Sequence, residues 1–453
     1  MSEIILLGAG ASAEAEVPTA YDMTKNIVQK FQSISKYNEV MNFVMGGLLF
    51  QEGVKGNNPQ DSGINVEDLF NAVQLLAERN TLEAAPFVGS WHSKVEEFDR
   101  TSPHFLNLNE LIEGIYESVR DEIIDALTSH PSSFKLDNLD RAIESAGRKI
   151  LHACQNKQSL SFSSSEHVGR YIAEYLSDTA NKWISELKGG HPRSSSKLER
   201  AFKEAVDRSQ MHPGEGQIFE QIAEIMLRIL KDVVWIEDVD RVKYLYPLIR
   251  LAKNRRLVVS TLNYDNSIEL AAASLDIHCN TCIEDWSNKG IFDISGDGLH
   301  LLRLHGSIDW EWKKGLQTEE RLLPHSRINK LDPAKLKEHY FRPAVIFGQR
   351  NKLTAEGPFL DFLRAFQQEL MEAEILTVIG YSFNDDHINT YISQWLNLSP
   401  EKCIRIIDPQ FENSSVSFVS DLKRLRSKRP QQLRVLSKKA SEGIIDFYGG
   451  EIT

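Results

Sequence analysis

The residues best suited to chemistry stand directly after short apolar runs. "IILL", Ile4 to Leu7, enters Gly8-Ala-Gly10-Ala-Ser12, and "RLVVST" enters Leu262-Asn263-Tyr264-Asp265. "HLLRL" enters His305-Gly306-Ser307, "ILTVI" enters Gly380-Tyr381-Ser382, and "CIRII" enters Asp408-Pro409. Closely spaced glycines after a strand let backbone amides approach a pyrophosphate. Short hydroxyl, amide and carboxylate side chains orient a sugar, and a histidine beside them can move a proton near neutral pH. In an open parallel sheet, ligands bind beyond the carboxyl ends of the strands, so these five ends define one candidate crevice.

Each signal alone has a plainer reading. His305 by itself reads as a packed core histidine, and Asn263 and Asp265 read as turn formers. Gly8-x-Gly10-x-x-Ala13 satisfies the dinucleotide fingerprint, but a dehydrogenase would show a second strand ending in an acidic residue about twenty positions on. That region is "KNIVQKFQ", Lys25 to Gln32, which reads as helix. No Gly-Lys-Ser/Thr follows to make a P-loop. Asp385-Asp386-His387 offers metal-ligand types, yet it reads better as a helix start capped by an aspartate.

The elements that must position these residues lie at the two ends of the sequence. "RLVVST", "HLLRLHG", "PAVIFG", "ILTVIG" and "CIRIID" are short, nearly continuous apolar runs, as strands buried on both faces of a parallel sheet should be. "GPFLDFLRAFQQELMEA" between two of them has helical periodicity. The middle is helical in pattern, notably "NLNELIEGIYESVRDEIIDAL" and "GQIFEQIAEIMLRILKDVVWI", with polar loops at 159–166 and 189–197. "GNNPQDSG" precedes "INVEDLF", where Asn65 is placed to cap a helix. This predicts an α/β fold, a Rossmann-like doubly wound parallel sheet with a large all-helical insertion. Residues 1–60 and 251–453 would form the sheet domain, and 61–250 the insertion.

Composition narrows the class. The chain has 453 residues, 41% hydrophobic and 26% charged, with no apolar run near the roughly 18 residues of a membrane span. The apolar start is too short for a signal peptide, so a cytoplasmic location is expected. Cys154, Cys279, Cys282 and Cys403 are too few for a disulfide framework. Cys279 and Cys282 form a lone C-x-x-C that lacks the second pair or histidines a tetrahedral site needs, so no zinc is expected. A net charge of −12 argues against a nucleic-acid sleeve. The basic stretch Asp421 to Ala440 reads as a solvated helix and an edge strand.

As a set, the motifs resemble the SIR2 family. Gly8-Ala-Gly10-Ala-Ser12 with Val17-Pro18 is similar to its G-A-G-x-S…I-P loop, and Thr261-Leu-Asn263-Tyr-Asp265 to its T-x-N-x-D motif. His305-Gly306 is similar to its catalytic histidine-glycine, and Gly380-Tyr-Ser382 to its G-x-S. Protein-deacylating members follow Ile-Pro with Asp-Phe-Arg and carry a four-cysteine zinc module. Here Pro18 is followed by Thr19-Ala20-Tyr21-Asp22, and no such module is present. "TLNYDNSIE", "LHGSIDW" and "ILTVIGYSFNDDHINTYI" resemble instead the bacterial SIR2-like proteins of antiphage defence.

That resemblance implies an NAD+-consuming effector that cleaves the nicotinamide–ribose bond, works as a homo-oligomer or with a HerA-type ATPase, and meets nucleic acid only indirectly and membrane not at all. It implies that Asn263 holds the ribose or the attacking water, Asp265 the nicotinamide amide, and that His305 is a base or orients the ribose hydroxyls. Gly8, Gly10 and Ser12 would cradle the pyrophosphate, Gly380 and Ser382 would contact phosphate and ribose, and Asp408 would meet the adenosine ribose. A protein deacylase and a non-catalytic NAD+-binding assembly module stay open as alternatives.

Overall fold

The computed structural model describes residues 2–101 with short breaks at 33–34, 57, 59–62, 83–84 and 89, then residues 217–314, 326–348 with breaks at 334–335 and 337–342, and 357–449. The helix expected over 107–127, the loops at 159–166 and 189–197, and Cys154 lie outside the described residues. The chain divides into two compact units, Met1–Leu76 with Phe219–Thr453, and Ala77–Ile218. In the second unit, the described residues include the helix Ser93–Thr101 and an indole hydrogen bond from Trp91 to Asn80.

The first unit is built on the expected apolar runs. β1 (Glu3–Leu7), β2 (Arg256–Thr261), the two-residue β3 (Cys279–Asn280) and β4 (Gly298–Arg303) are joined by three later strands. β5 (Gly306–Lys314), β6 (Ser326–Lys330) and β7 (Pro343–Val345) come between, followed by β8 (Ile375–Ile379), β9 (Cys403–Ile407) and β10 (Leu433–Leu436). Seven of these form one sheet of order β10-β9-β8-β1-β2-β4-β3, with every pairing parallel. β1 is the central strand, with β2 on one side and β8 on the other.

Alternation along these strands builds two faces. Ile4, Leu6, Val258, Leu302, Leu376, Val378, Ile404 and Ile406 pack with Phe362 and Phe366 of the helix Phe359–Glu372 and with Ile388, Ile392 and Trp395 of the helix Asp386–Leu398. Each large apolar side chain withdrawn from water there contributes roughly 1.5–3 kcal/mol. On the opposite face, the helix Ala440–Tyr448 lies so close that a Cβ on Gly443 would meet Ile407 at 2.3 Å. The Tyr448 phenol from that helix and the Thr377 hydroxyl both donate to Glu3 at 2.7 Å, and Arg255 and Arg405 lie 3.2 and 3.6 Å from the same carboxylate.

"PAVIFG" departs from expectation. β7 belongs to a separate antiparallel sheet of order β6-β5-β7, where among the described residues it pairs with β5 alone. Pro343 has no N–H to offer a second neighbour, which suits the first position of an edge strand. Other local readings agree with the structure. "KNIVQKFQ" falls in the helix Ala20–Phe31 with its C-cap, and the helix Gln217–Val234 follows its apolar stripe. Asn65 Oδ1 accepts the Glu67 amide at 2.9 Å at the start of the helix Val66–Ala77. The basic stretch forms the helix Ser417–Lys428 and the edge strand β10. Among the described residues, no helix is long and apolar enough to cross a membrane.

Candidate functional site

Strand order fixes where a crevice opens. From β1 the chain proceeds to β2 and β4 on one side and only later to β8, β9 and β10 on the other, so the order reverses between β1 and β8. Their carboxyl ends carry the Gly8–Ser12 turn and the Gly380–Ser382 turn. The two turns are in intimate contact: the Gly8 amide donates to the Ile379 carbonyl at 3.0 Å and the Gly10 amide to the Gly380 carbonyl at 2.8 Å. A Cβ on Gly10 would lie 2.9 Å from Gly380 Cα, and Gly380 adopts φ +61°. Glycine is required here first for the approach of two loops.

The glycine turn coils into two short 3-10 turns, Ala9–Ala11 and Ala13–Ala15. The Ala11 amide donates to Gly8 and the Ser12 amide to Ala9, so the amides of Gly8, Gly10, Ala11 and Ser12 are all engaged within the protein. What the turn presents is the exposed backbone at Ala9 and Gly10 and the buried Ser12 hydroxyl. Tyr244, from the 3-10 segment Val239–Leu245, donates its phenol to the Ala11 carbonyl at 2.5 Å. Burial, aided by the charges of Asp265 and Glu14, holds that phenol protonated far above its ordinary range.

Asn263 is buried beside this turn. Its amide nitrogen donates to the Gly8 carbonyl at 2.9 Å and to Ser12 Oγ at 3.0 Å. A carbonyl only accepts, so the Gly8 contact fixes which end of the amide faces the glycine turn. Asp265 accepts the Ser267 amide at 2.9 Å at the start of the helix Ser267–Ser274. Asn266 pairs in both directions with the backbone of Ile236, at 2.8 and 2.9 Å.

Arg303, at the end of β4 and 1% exposed, holds this segment from beneath. It donates to the carbonyls of Asn263 and Asp265 at 3.2 and 2.7 Å and forms a close ion pair with Glu269. Burial alone would raise the Glu269 carboxyl; the guanidinium overrides it, and the carboxyl sits below its ordinary range. Neighbouring Asp309 differs: burial and the Glu269 charge push its carboxyl up against the pull of Arg303, and it accepts a short hydrogen bond from Ser307.

His305 occupies the turn where the chain leaves the parallel sheet for β5. Gly306 follows at φ +81°, and a Cβ there would lie 2.1 Å from the Ala344 carbonyl oxygen, so the passing β7 explains the glycine. The ring is buried, its Nε2 is 3.3 Å from Asp385 Oδ2, and its centroid is 6.4 Å from that of Tyr264. The Tyr264 phenol donates to the Ile346 carbonyl at 2.8 Å and lies 3.2 Å from Glu67. The capping aspartate expected in Asp385-Asp386-His387 is Asp385, its Oδ1 accepting the amides of His387 and Ile388.

Ser382 is exposed beyond β8, and its Oγ accepts from Asn384 at 3.2 Å. Asp408, half-buried beyond β9, accepts the Gln410 amide at 2.8 Å, and burial pushes its carboxyl above the ordinary range. The structure therefore brings Ser12 and Asn263 into direct contact through the glycine turn, and places Asp265, His305, Ser382 and Asp408 at neighbouring strand ends. Tyr244, Arg303 and the second oxygen of Asp385 were not singled out from sequence. An arginine inside the apolar run "HLLRL" was the available signal for one of them.

A separate cleft of about 1070 Å³ opens at the amino ends of β2 and β4, lined by Lys253, His278, Cys279, Asp293, His300 and Lys330 among others, and by none of the strand-end residues above. Burial raises both the Cys279 and Cys282 thiols, which keeps them protonated. Among the described residues, no group of three or more His, Cys, Asp or Glu is arranged to hold a metal ion.

No curated protein matches the chain. Residues 257–414, about a third of the length, match the SIR2-like domain. The matched span runs from β2 to just beyond β9 and contains Asn263, Asp265, His305, Gly380, Ser382 and Asp408. It omits β1, which the sheet nevertheless places at its centre. Residues 257–414 are thus similar to a SIR2-like domain, and the sheet completes that span with the glycine-turn strand β1 from outside it.

Proposed function

We propose that this protein hydrolyses NAD+ at the nicotinamide–ribose bond, releasing nicotinamide and ADP-ribose. The observation that carries the reading is the placement of Asn263 and His305 at the ends of adjacent strands β2 and β4, with the Asn263 amide bonded into the glycine turn at the switch point of the sheet. Cleavage of this bond passes through an oxocarbenium-like state, so the site has to orient hydroxyls and water and supply a base. As the C–N electron pair leaves with neutral nicotinamide, water oxygen bonds to the anomeric carbon and its proton passes to His305. Asn263 orients the ribose or the water, and Asp265 holds the leaving amide. The Gly8–Ser12 and Gly380–Ser382 turns receive the diphosphate, and Asp408 the distal ribose.

The motif resemblance extends the reading to an antiviral effector that depletes cytoplasmic NAD+, controlled by self-assembly or by a HerA-type ATPase partner. The test is incubation of the protein with NAD+ and chromatographic separation of the products, with His305→Ala alongside, alone and with such an ATPase and DNA. Nicotinamide and ADP-ribose from the unaltered protein only would support the proposal. NAD+ loss that strictly requires an acylated peptide would replace it with deacylation, and saturable binding without products would replace it with a binding module.

A further inference from the structure

An N-cap needs only one short polar side chain, and asparagine or serine serves as well as aspartate. Asp385 is 6% exposed, and burying a carboxylate there is costly unless the charge meets a partner. One oxygen is used in capping; the other faces His305 Nε2 at 3.3 Å, across the sheet from β8 to β4. That separation is long for a charge-assisted bond, as such pairs often are before substrate enters.

The turn bearing Asp385 is held more firmly than a cap requires. The Tyr381 phenol is in hydrogen-bond contact with the Asp385 carbonyl and Asn389 Oδ1 and accepts the Asp385 amide, all at 3.1–3.2 Å. Asn389 donates to the Phe383 carbonyl at 2.8 Å. Phe383, buried and at φ +60°, adopts a left-handed backbone that a bulky residue keeps only when its surroundings impose it. Among the described residues near the pair, Tyr264 turns its phenol to Ile346 and Glu67, Tyr381 is engaged with Asp385 itself, and Asp386 is exposed at the helix start.

We infer that Asp385 is a positioning residue for His305: it accepts a hydrogen bond from the Nε2–H of the neutral ring, fixes that tautomer and orientation, and leaves Nδ1 as the basic atom. The inference rests on the proposed hydrolysis for its catalytic meaning. When Nδ1 takes the proton of the attacking water, the resulting imidazolium faces a fixed carboxylate, so the charge that develops during the reaction is met without rearrangement.

The test uses Asp385→Asn and Asp385→Ser, which keep the cap and remove the charge. In the absence of nucleotide, ring-nitrogen NMR of ¹⁵N-histidine-labelled protein, with the His305 signals assigned by their loss in His305→Ala, should show an Nε2-protonated neutral ring in the unaltered protein and a mixture of tautomers in both variants. The variants should unfold within a few degrees of the unaltered protein, while kcat for NAD+ cleavage falls on the order of 10²-fold with KM little changed. Identical ring signals in all three proteins, or full activity in either capped variant, would overturn the inference. If the unaltered protein leaves NAD+ intact, the proposed reaction fails by itself, and the ring signals still decide the role of Asp385.

Discussion

Gly380 and Ala11 approach so closely that a Cβ on Gly380 would lie 2.2 Å from the Ala11 backbone nitrogen. Two strand ends far apart in sequence are thereby locked into one floor, and no side chain is available to yield. Gly380→Ala combines a left-handed backbone with a clash against main chain and is expected to cost about 2–4 kcal/mol. Gly290, also left-handed at φ +71° but with nothing within 4 Å, is the control, and Gly290→Ala should cost about 1 kcal/mol. Denaturant unfolding of both variants checks this; equal losses would show that the contact between the turns carries no energy.

Asn263 has a structural role beside the chemical one proposed for it. In Asn263→Asp, a carboxylate replaces the nitrogen that donates to Gly8 and Ser12, so a buried carbonyl loses its donor and meets like charge. A loss of roughly 1–3 kcal/mol is expected, together with loss of NAD+ cleavage. A thermal melt alongside the turnover assay separates the two. Undiminished stability would show that the amide is not tied to the glycine turn.

Tyr244 reaches that turn from outside the sheet. Tyr244→Phe removes one hydrogen bond to the Ala11 carbonyl and keeps the ring. It should cost about 1 kcal/mol of stability and weaken NAD+ binding measured by titration calorimetry, because the turn loses an external brace. Unchanged affinity would mean that the two 3-10 turns hold their shape unaided.

Asp309 yields a dependence on pH. Its carboxyl is raised in the folded state by burial and by the Glu269 charge, so ionisation weakens the fold. That penalty is complete above the folded-state pKa and fades as pH falls through it towards the unfolded value. Asp309→Asn retains an acceptor for Ser307 and should therefore stabilise the protein most on the alkaline side, with the gain vanishing in acid. Glu269, lowered in the fold, works in the opposite sense: its contribution is lost as pH falls below the ordinary carboxylate range. Urea midpoints for the Asn variant and the unaltered protein across pH 4–9 would check the sign.

The strand ends were legible because β1, β2, β4, β8 and β9 are apolar nearly throughout, and the switch to glycine and short polar residues after them is abrupt. "PAVIFG" shows the limit of that signal: an apolar run of the same kind pairs in the small antiparallel sheet, and only Pro343 hinted at an edge. β5 does alternate, Ile308, Trp310 and Trp312 with Ser307, Asp309 and Glu311, but the His305-Gly306 turn at its start is the stronger local signal. A capping aspartate is legible in Asp385-Asp386-His387, but the His305 that faces the second oxygen of Asp385 lies eighty residues earlier, beyond another strand. Tyr244 and Arg303 act through backbone carbonyls, which leave no mark in the residue types around them.

β1 has a temporal consequence. Its register sets Glu3 opposite Ile375 and Ile4 opposite Val258, so the middle of the sheet emerges from the ribosome long before either flank exists. At roughly 5–20 residues per second, the first strand waits on the order of a minute for its last neighbour. Contacts so distant along the chain close slowly, and the interval exposes an apolar segment with both edges unpaired. The glycine turn gains its contacts with Ile379 and Gly380 only when β8 arrives, so the proposed site is complete only in a chain grown past that strand.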